Sequence, residues 1–186
     1  MPIIIISMNK NRCTWATDVE EIYIKYHDDE WGVPTHDDRE LFEFLVLESF
    51  QAGLSWITIL KKRDNFKKAF DDFDVVKVAN YDENKINELR ENAGIIRHKG
   101  KITSAINNAQ VFMEIQKEFG SFDEYLWGFT EGEIIKAEYL TESKLSKHIS
   151  KDLKKRGMKF VGPTIIYSYL EAVGIIDNHQ KDCFKY

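Results

Sequence analysis

The residues Glu48-Ser49-Phe50-Gln51-Ala52-Gly53-Leu54-Ser55-Trp56 decide how the rest of the chain is read. The stretch is mostly apolar and reads as helix, yet it carries a carboxylate and an indole. At about 100° per residue Glu48 and Ser55 nearly eclipse, and Trp56 lies only ~80° further round, so acid and aromatic share one side. A buried carboxylate beside a flat aromatic suits a pocket for a planar, electron-poor ring. The alternative is a core helix with Trp56 packed inside and Glu48 at the water edge, and periodicity alone favours it.

Upstream, Thr17 or Asp18 can cap a first helix over 19–27, on which Tyr23, Tyr26 and His27 share a face at i, i+3 and i+4. The run Asp28 to Pro34 breaks it. Asp37 or Asp38 then caps a long helix through Phe42, Leu45, Val46 and Phe50, which Gly53 loosens or ends. Downstream, helix resumes over 56–70, with Ile57, Leu60, Phe66 and Phe70 inward and Lys61, Lys62 and Arg63 outward. Shorter helices follow over 73–79, over 82–91 behind the cap Asp82, over 102–119 and over 121–127. Residues 128–140 carry the weakest pattern and read as a mobile surface loop. A basic helix over 143–156 stops at Gly157, and Gly162-Pro163 opens a last apolar helix over 164–173 that Gly174 ends. Period-two alternation is nearly absent and no linker or repeat divides the chain, so the class is all-α. The expected organisation is an N-terminal extension over 1–11, read as a disordered tail, an edge strand or sequence upstream of a truer start at Met8, and one domain over 12–186.

At 186 residues the chain can build one sizeable core or two small lobes that share one. A net charge of -5 argues against a uniformly basic nucleic-acid binder. Lys and Arg are nevertheless clustered in Lys61-Lys62-Arg63, in Arg97 to Lys101 and in Lys151 to Lys159. Each run alone is a solvated helix end; together they permit a basic face. The Ile-rich opening is too short for a signal-peptide core and has no basic residue before it. No run reaches transmembrane length, so a soluble, cytoplasmic protein is expected.

Two cysteines lie near opposite ends of the chain. His179 and Cys183 are four apart and reach one point on a helical turn. Cys13 and His27 complete a two-thiolate, two-imidazole set, a tetrahedral zinc complement. With four protein ligands there is no open position for water, so the metal would be a structural clamp on the termini. The other reading is a buried inert cysteine at each end and ordinary histidines; the spacing alone leaves both open. His36, His98 and His148 lack such partners and read as surface residues.

Taken together, Arg12-Cys13-Thr14-Trp15, Tyr26 to Pro34, Gln51 to Ile57, Ala93 to His98, Lys154 to Gly157 and Phe160 to Thr164 resemble the DNA-3-methyladenine glycosylase I family. The resemblance runs from Arg12 to Cys183; the residues before Met8 are additional to the family's usual start. It implies the helix-hairpin-helix DNA glycosylase fold with one structural zinc held by Cys13, His27, His179 and Cys183. It implies a pocket with Glu48 as the catalytic carboxylate and Tyr26 and Trp56 around the base, with Tyr23 and Trp31 as further walls. Lys159, Gly162 and Thr164, at the hairpin before the last helix, are the expected DNA contacts, with residues 94–100 as the second choice of hairpin. The family lacks the superfamily's catalytic aspartate; Asp177 is better read as a helix-end residue beside a zinc ligand.

The implied activity is monofunctional hydrolysis of 3-methyladenine from double-stranded alkylated DNA by base flipping, without strand cleavage, by a monomer that needs no membrane. The alternatives are a non-catalytic DNA-binding module, a zinc hydrolase with an open metal site and a disulfide-stapled interaction protein.

Overall fold

A computed structural model describes residues 10–137 and 140–186. The Ile-rich start lies outside the described residues. Nine α-helices and one short strand pair are found among those described. In chain order they are α1 Glu21–Asp29, α2 Asp38–Gln51, α3 Trp56–Ala69, α4 Val75–Ala79, α5 Glu83–Glu91, α6 Lys99–Phe119, α7 Phe122–Gly128, β1 Ile135–Lys136, α8 Lys144–Lys155, α9 Pro163–Ala172 and β2 Ile176–Asp177. Among the described residues no helix is long and apolar enough to cross a membrane.

The centre of the fold is α2, and its sequence explains why. Every residue over 41–50 is buried, including Glu43, Glu48 and Ser49. A helix that is apolar almost all round has no solvent face and must be surrounded. α9, α3, α6 and α7 surround it. Phe42 meets Phe112 of α6 with ring centroids 5.2 Å apart, and Phe112 stacks on Phe122 of α7 at 4.0 Å. The Tyr169 hydroxyl of α9 donates to the Leu41 carbonyl at 3.0 Å. Asp38, in the first turn of α2, accepts from the amides of Phe122 and Asp123 and so fixes the start of α7.

Local signals set most boundaries. Asp37 caps α2 through the amides of Arg39 and Glu40, Asp82 caps α5, and Ser143 with Ser146 forms a capping box on α8. The expected cap at Thr17 or Asp18 is not used: α1 starts at Glu21, after Glu20, without a side-chain cap. His98, exposed as expected, caps α6 by accepting from the Lys101 amide, which moves that helix start to Lys99.

Four other expectations change. Residues 48–56 are not one helix: α2 ends at Gln51, Gly53 takes φ +77°, and α3 begins at Trp56. Glu48 and Trp56 therefore come from two helices, and the eclipsed geometry within one helix does not apply. Arg63 does not face water; its guanidinium pairs with buried Glu43 at 2.7 Å and with Glu30. Lys101 is also buried, and its ammonium donates to the carbonyls of Phe50 at 2.7 Å and Ala52 at 2.6 Å. Finally, within the weakly patterned segment Ile135 and Lys136 pair in parallel with Ile176 and Asp177, while residues 138 and 139 of that segment lie outside those described.

Candidate functional site

Four segments converge on one small cavity. α1 carries Tyr23 and Tyr26, the turn behind it carries Trp31, α2 carries Glu48, and α3 opens with Trp56. All five line a cavity of about 230 Å³. That is smaller than the ~300–1,000 Å³ typical of drug-sized ligand sites and suits a single flat heterocycle. Trp15, Gln51, Leu140, Ser168, Glu171 and Asn178 complete its lining.

The α2–α3 break is what makes the arrangement. Had the helix continued, Trp56 would have packed along α2. The turn at Gly53 instead brings Trp56 back to Tyr26, ring centroids 5.4 Å apart and tilted by 49°. Tyr26 is buried on α1, and Tyr23, one turn earlier, packs on Trp15 at 5.1 Å. Lys101 caps the carbonyl end of α2 at this same break. A cation there is favoured by the helix dipole as well as by the two hydrogen bonds.

The electrostatics of the cavity are unusual. Glu48 is 3% exposed, and among the described residues its Oε2 has no hydrogen-bond partner, as is also true of Trp56 Nε1. An acceptor and a donor thus line one aromatic-walled space with nothing among the described residues to satisfy them. Burial, reinforced by the carboxylate of Glu171, holds the Glu48 carboxyl well above the usual range. Burial also lifts Glu171 to about 7, against the hydrogen bond from Asn178. Without a ligand Glu48 therefore favours its protonated form.

On the far side of Trp31 lies a second constellation. Cys13, His27 and Cys183, all buried, bring one ligand atom each to within 4.8 Å of one another. His27 Nε2 lies 3.6 Å from Cys183 Sγ. His179 stands beside this group and not within it, its ring 5.5 Å from that of His27. Both imidazoles use Nδ1 on a carboxylate, His27 on Asp28 at 2.9 Å and His179 on Asp177 at 2.8 Å. Arg12 holds Asp28 at about 2, so that carboxylate accepts and leaves His27 Nε2 with its lone pair. Burial pushes the Cys13 thiol up to about 11 and lowers both imidazoles.

Among the described residues His179 Nε2 is buried without a hydrogen-bond partner. Cys13, His27 and Cys183 offer two thiols and an imidazole that could hold a metal ion, with this second imidazole beside them. Gly32, at φ +74°, allows the close approach: a Cβ there would meet His179 Cε1 at 2.6 Å. Asp177, held by His179 and by Lys136 at 2.7 Å, orients the imidazole and does not line the cavity.

The expected DNA contacts lie in the turn between α8 and α9 and, for Thr164, in the first turn of α9. Lys159 and Thr164 are exposed, and Gly162 caps α9 ahead of Pro163. Asn108 of α6 fixes this turn, donating to the Lys159 carbonyl and accepting from its amide, each at 2.8 Å. Arg156, from the same basic run, is tied to Asp152 and Glu118.

Glu171 was not singled out from the sequence, although a lone carboxylate in an apolar helix is the signal that marked Glu48. Trp15 sits inside one of the quoted motifs and could have been drawn from it. Asn178 and Ser168 carry no sequence signal of their own.

A family profile described as methyladenine glycosylase matches residues 15–186. The chain is 44% identical over 181 residues to DNA-3-methyladenine glycosylase 1 of Escherichia coli (strain K12), covering 94% of this chain and 96% of that protein. It is 39% identical over 178 residues to DNA-3-methyladenine glycosylase of Haemophilus influenzae (strain ATCC 51907 / DSM 11121 / KW20 / Rd), covering 92% and 96%. The structure of Staphylococcus aureus 3-methyladenine DNA glycosylase I, described as the basis of 3-methyladenine recognition, superimposes with a TM-score of 0.89 at 39% identity, covering 93% of this chain and 95% of that one.

Proposed function

Since this chain belongs to the methyladenine glycosylase family, whose members hydrolyse N-glycosyl bonds, we propose that it removes 3-methyladenine from double-stranded alkylated DNA by flipping the base into the cavity around Glu48. The observation that carries this reading is the buried, unpartnered carboxylate oxygen in an aromatic-walled space of base size. A base in a duplex must leave the stack to reach such a site, at a cost of a few kcal/mol.

N3-methylation gives the adenine of a nucleoside a fixed positive charge, so its glycosidic bond is already weak. The pocket then works mainly by selection. In the ligand-free cavity ionised Glu48 is expensive; a cationic base supplies the missing countercharge, and its amino group donates to the carboxylate. Neutral adenine offers no such compensation. Tyr26 and Trp56 contribute stacking of ~1–3 kcal/mol and cation–π attraction of about 0.5–2 kcal/mol, with Tyr23 and Trp31 closing the walls.

Water forms a bond to C1′ as the C1′–N9 bond breaks. The bonding pair goes to the base, which leaves neutral, and the water proton is released. Among the described residues no lysine lines the cavity, and the reading includes no Schiff base and no strand cleavage. The exposed turn at Lys159, Gly162 and Thr164 is the grip on the backbone: α9 offers free amides at its N-terminus to a phosphate, and Lys159 adds charge.

We assign one structural zinc to Cys13, His27, His179 and Cys183. When bound it supplies a clamp between the segments before α1 and after β2, and no chemistry at the cavity. The organisation that goes with this reading is an extension over 1–11 and a single helix-hairpin-helix glycosylase domain over 12–186, monomeric and acting in the cytoplasm. Incubation with methylated duplex DNA tests the proposal. Free 3-methyladenine should appear with the strands intact; no released base, or strand breaks formed with it, would reject it.

A further inference from the structure

The mechanism above leaves one carboxylate of the cavity without a role. Glu171 stands on α9, half-buried, on the same wall system as Glu48. Its main-chain carbonyl accepts from the Gly32 amide at 3.0 Å, and its Oε1 accepts from Asn178 Nδ2 at 2.6 Å. Position and one oxygen are thereby fixed, and among the described residues the second oxygen has no hydrogen-bond donor. The groups that face it are Glu48 from α2, Tyr23 and Tyr26 from α1, and Asn178 beyond β2, with Tyr167 one turn back on α9. Among the described residues no lysine, arginine or histidine lines the cavity. Two carboxylates in a space of base size, with no cation between them, do not both ionise at low cost. What the cavity lacks is a positive charge, and its ligand must bring it.

We propose that Glu171 is a second specificity-determining carboxylate, which together with Glu48 makes the pocket select permanently cationic purines over neutral ones of the same shape. This rests on the base-excision reading given above and extends it to a residue outside the quoted motifs. A cation entering the cavity favours the ionised form of both acids, so its binding expels protons. Its affinity therefore rises with pH through the region near neutrality, where burial has placed the Glu171 carboxyl at about 7. A neutral purine gains nothing from those ionisations.

The test compares two probes, 3,9-dimethyladeninium, a permanent cation, and 9-methyladenine, its neutral counterpart. Each is titrated calorimetrically into native protein and into Glu171→Gln, which keeps the oxygen that Asn178 holds. Near pH 8 the substitution should weaken the cation about tenfold and leave the neutral probe unchanged. It should also reduce the number of protons released on cation binding.

Equal losses for both probes would show a packing role, and no loss for the cation would show none; either overturns the proposal. The native protein alone gives a second arm, free of any folding defect in the variant. Its affinity for the cation should rise between about pH 6 and pH 8 while that for the neutral probe stays level, and parallel profiles would overturn the proposal. Failure of the native protein to bind the cation, or to free 3-methyladenine from alkylated DNA, would instead remove the base-excision reading. Native activity with an unaltered variant removes only the role of Glu171.

Discussion

Glu48 shows the tension between stability and function at the scale of one residue. Its carboxyl is held well above the ordinary range by burial and by Glu171, so the folded chain keeps a proton there that the unfolded chain has given up. Stability tied to this group is therefore greatest at low pH and declines as pH rises from the ordinary carboxylate range toward the folded-state value. Glu48→Gln removes that penalty. Its melting temperature should exceed the native value at pH 8, by about 0.5–2 kcal/mol in stability, and by less at pH 5. Thermal unfolding at the two pH values checks this; a variant less stable than the native chain at pH 8 would contradict it. Glu48 and Trp56 stood out as a carboxylate and an indole in an apolar background, although they lie on two helices and not one, and Tyr26 was set beside them by the family resemblance. Glu171 and Asn178 did not stand out, because what places them is the packing of α9 and the chain beyond β2 against α1 and α2, which no local pattern encodes.

Among the elements, the junction of α2 and α3 decides the geometry of the cavity. Lys101 reaches it from α6 and donates to two carbonyls at the end of α2. Lys101→Met would leave both without that donor beside the segment that aims Trp56. A loss of about 1–3 kcal/mol in stability is expected, with base release slowed more than base affinity is weakened, since the cavity walls survive while their alignment does not. Lys101→Arg, which restores a donor, should recover part of both. Unfolding titrations and single-turnover release check these outcomes, and unchanged release by Lys101→Met would show that the junction holds itself. The caps Asp37 and Asp82 were readable because capping depends on neighbours within a turn. The inward course of Arg63 and Lys101 was not, since the sequence displays a charge but not the distant carboxylate or carbonyl that draws it into the core.

At the scale of the whole molecule, Cys13 from before α1 meets His27 and Cys183, with His179 beside them, back to back with the cavity across Trp31; the proposed zinc would clamp these segments together. The Trp31 ring lies 4.7 Å from that of His179 and 5.9 Å from that of His27, so loosening the clamp should reach the pocket wall. Purified protein should carry about one zinc per chain. Cys183→Ser should lose it and melt at a lower temperature, and a strong chelator should have the same effect on the native chain. Full zinc content and an unchanged melting temperature in Cys183→Ser would dissolve the clamp. Residue types and spacing left the pairing of cysteines and histidines from opposite ends as one of two readings, and the family resemblance chose it; that His179 stands just outside the group formed by the other three emerges only in three dimensions. The central question is whether a purine bearing a charge is chosen by the acid at the base of the aromatic cavity. The most direct measurement is single-turnover release of 3-methyladenine from methylated duplex DNA by the native chain and by Glu48→Gln. Release by the native chain, slowed on the order of 100-fold in the variant, is the expected result; equal rates in the two would contradict it.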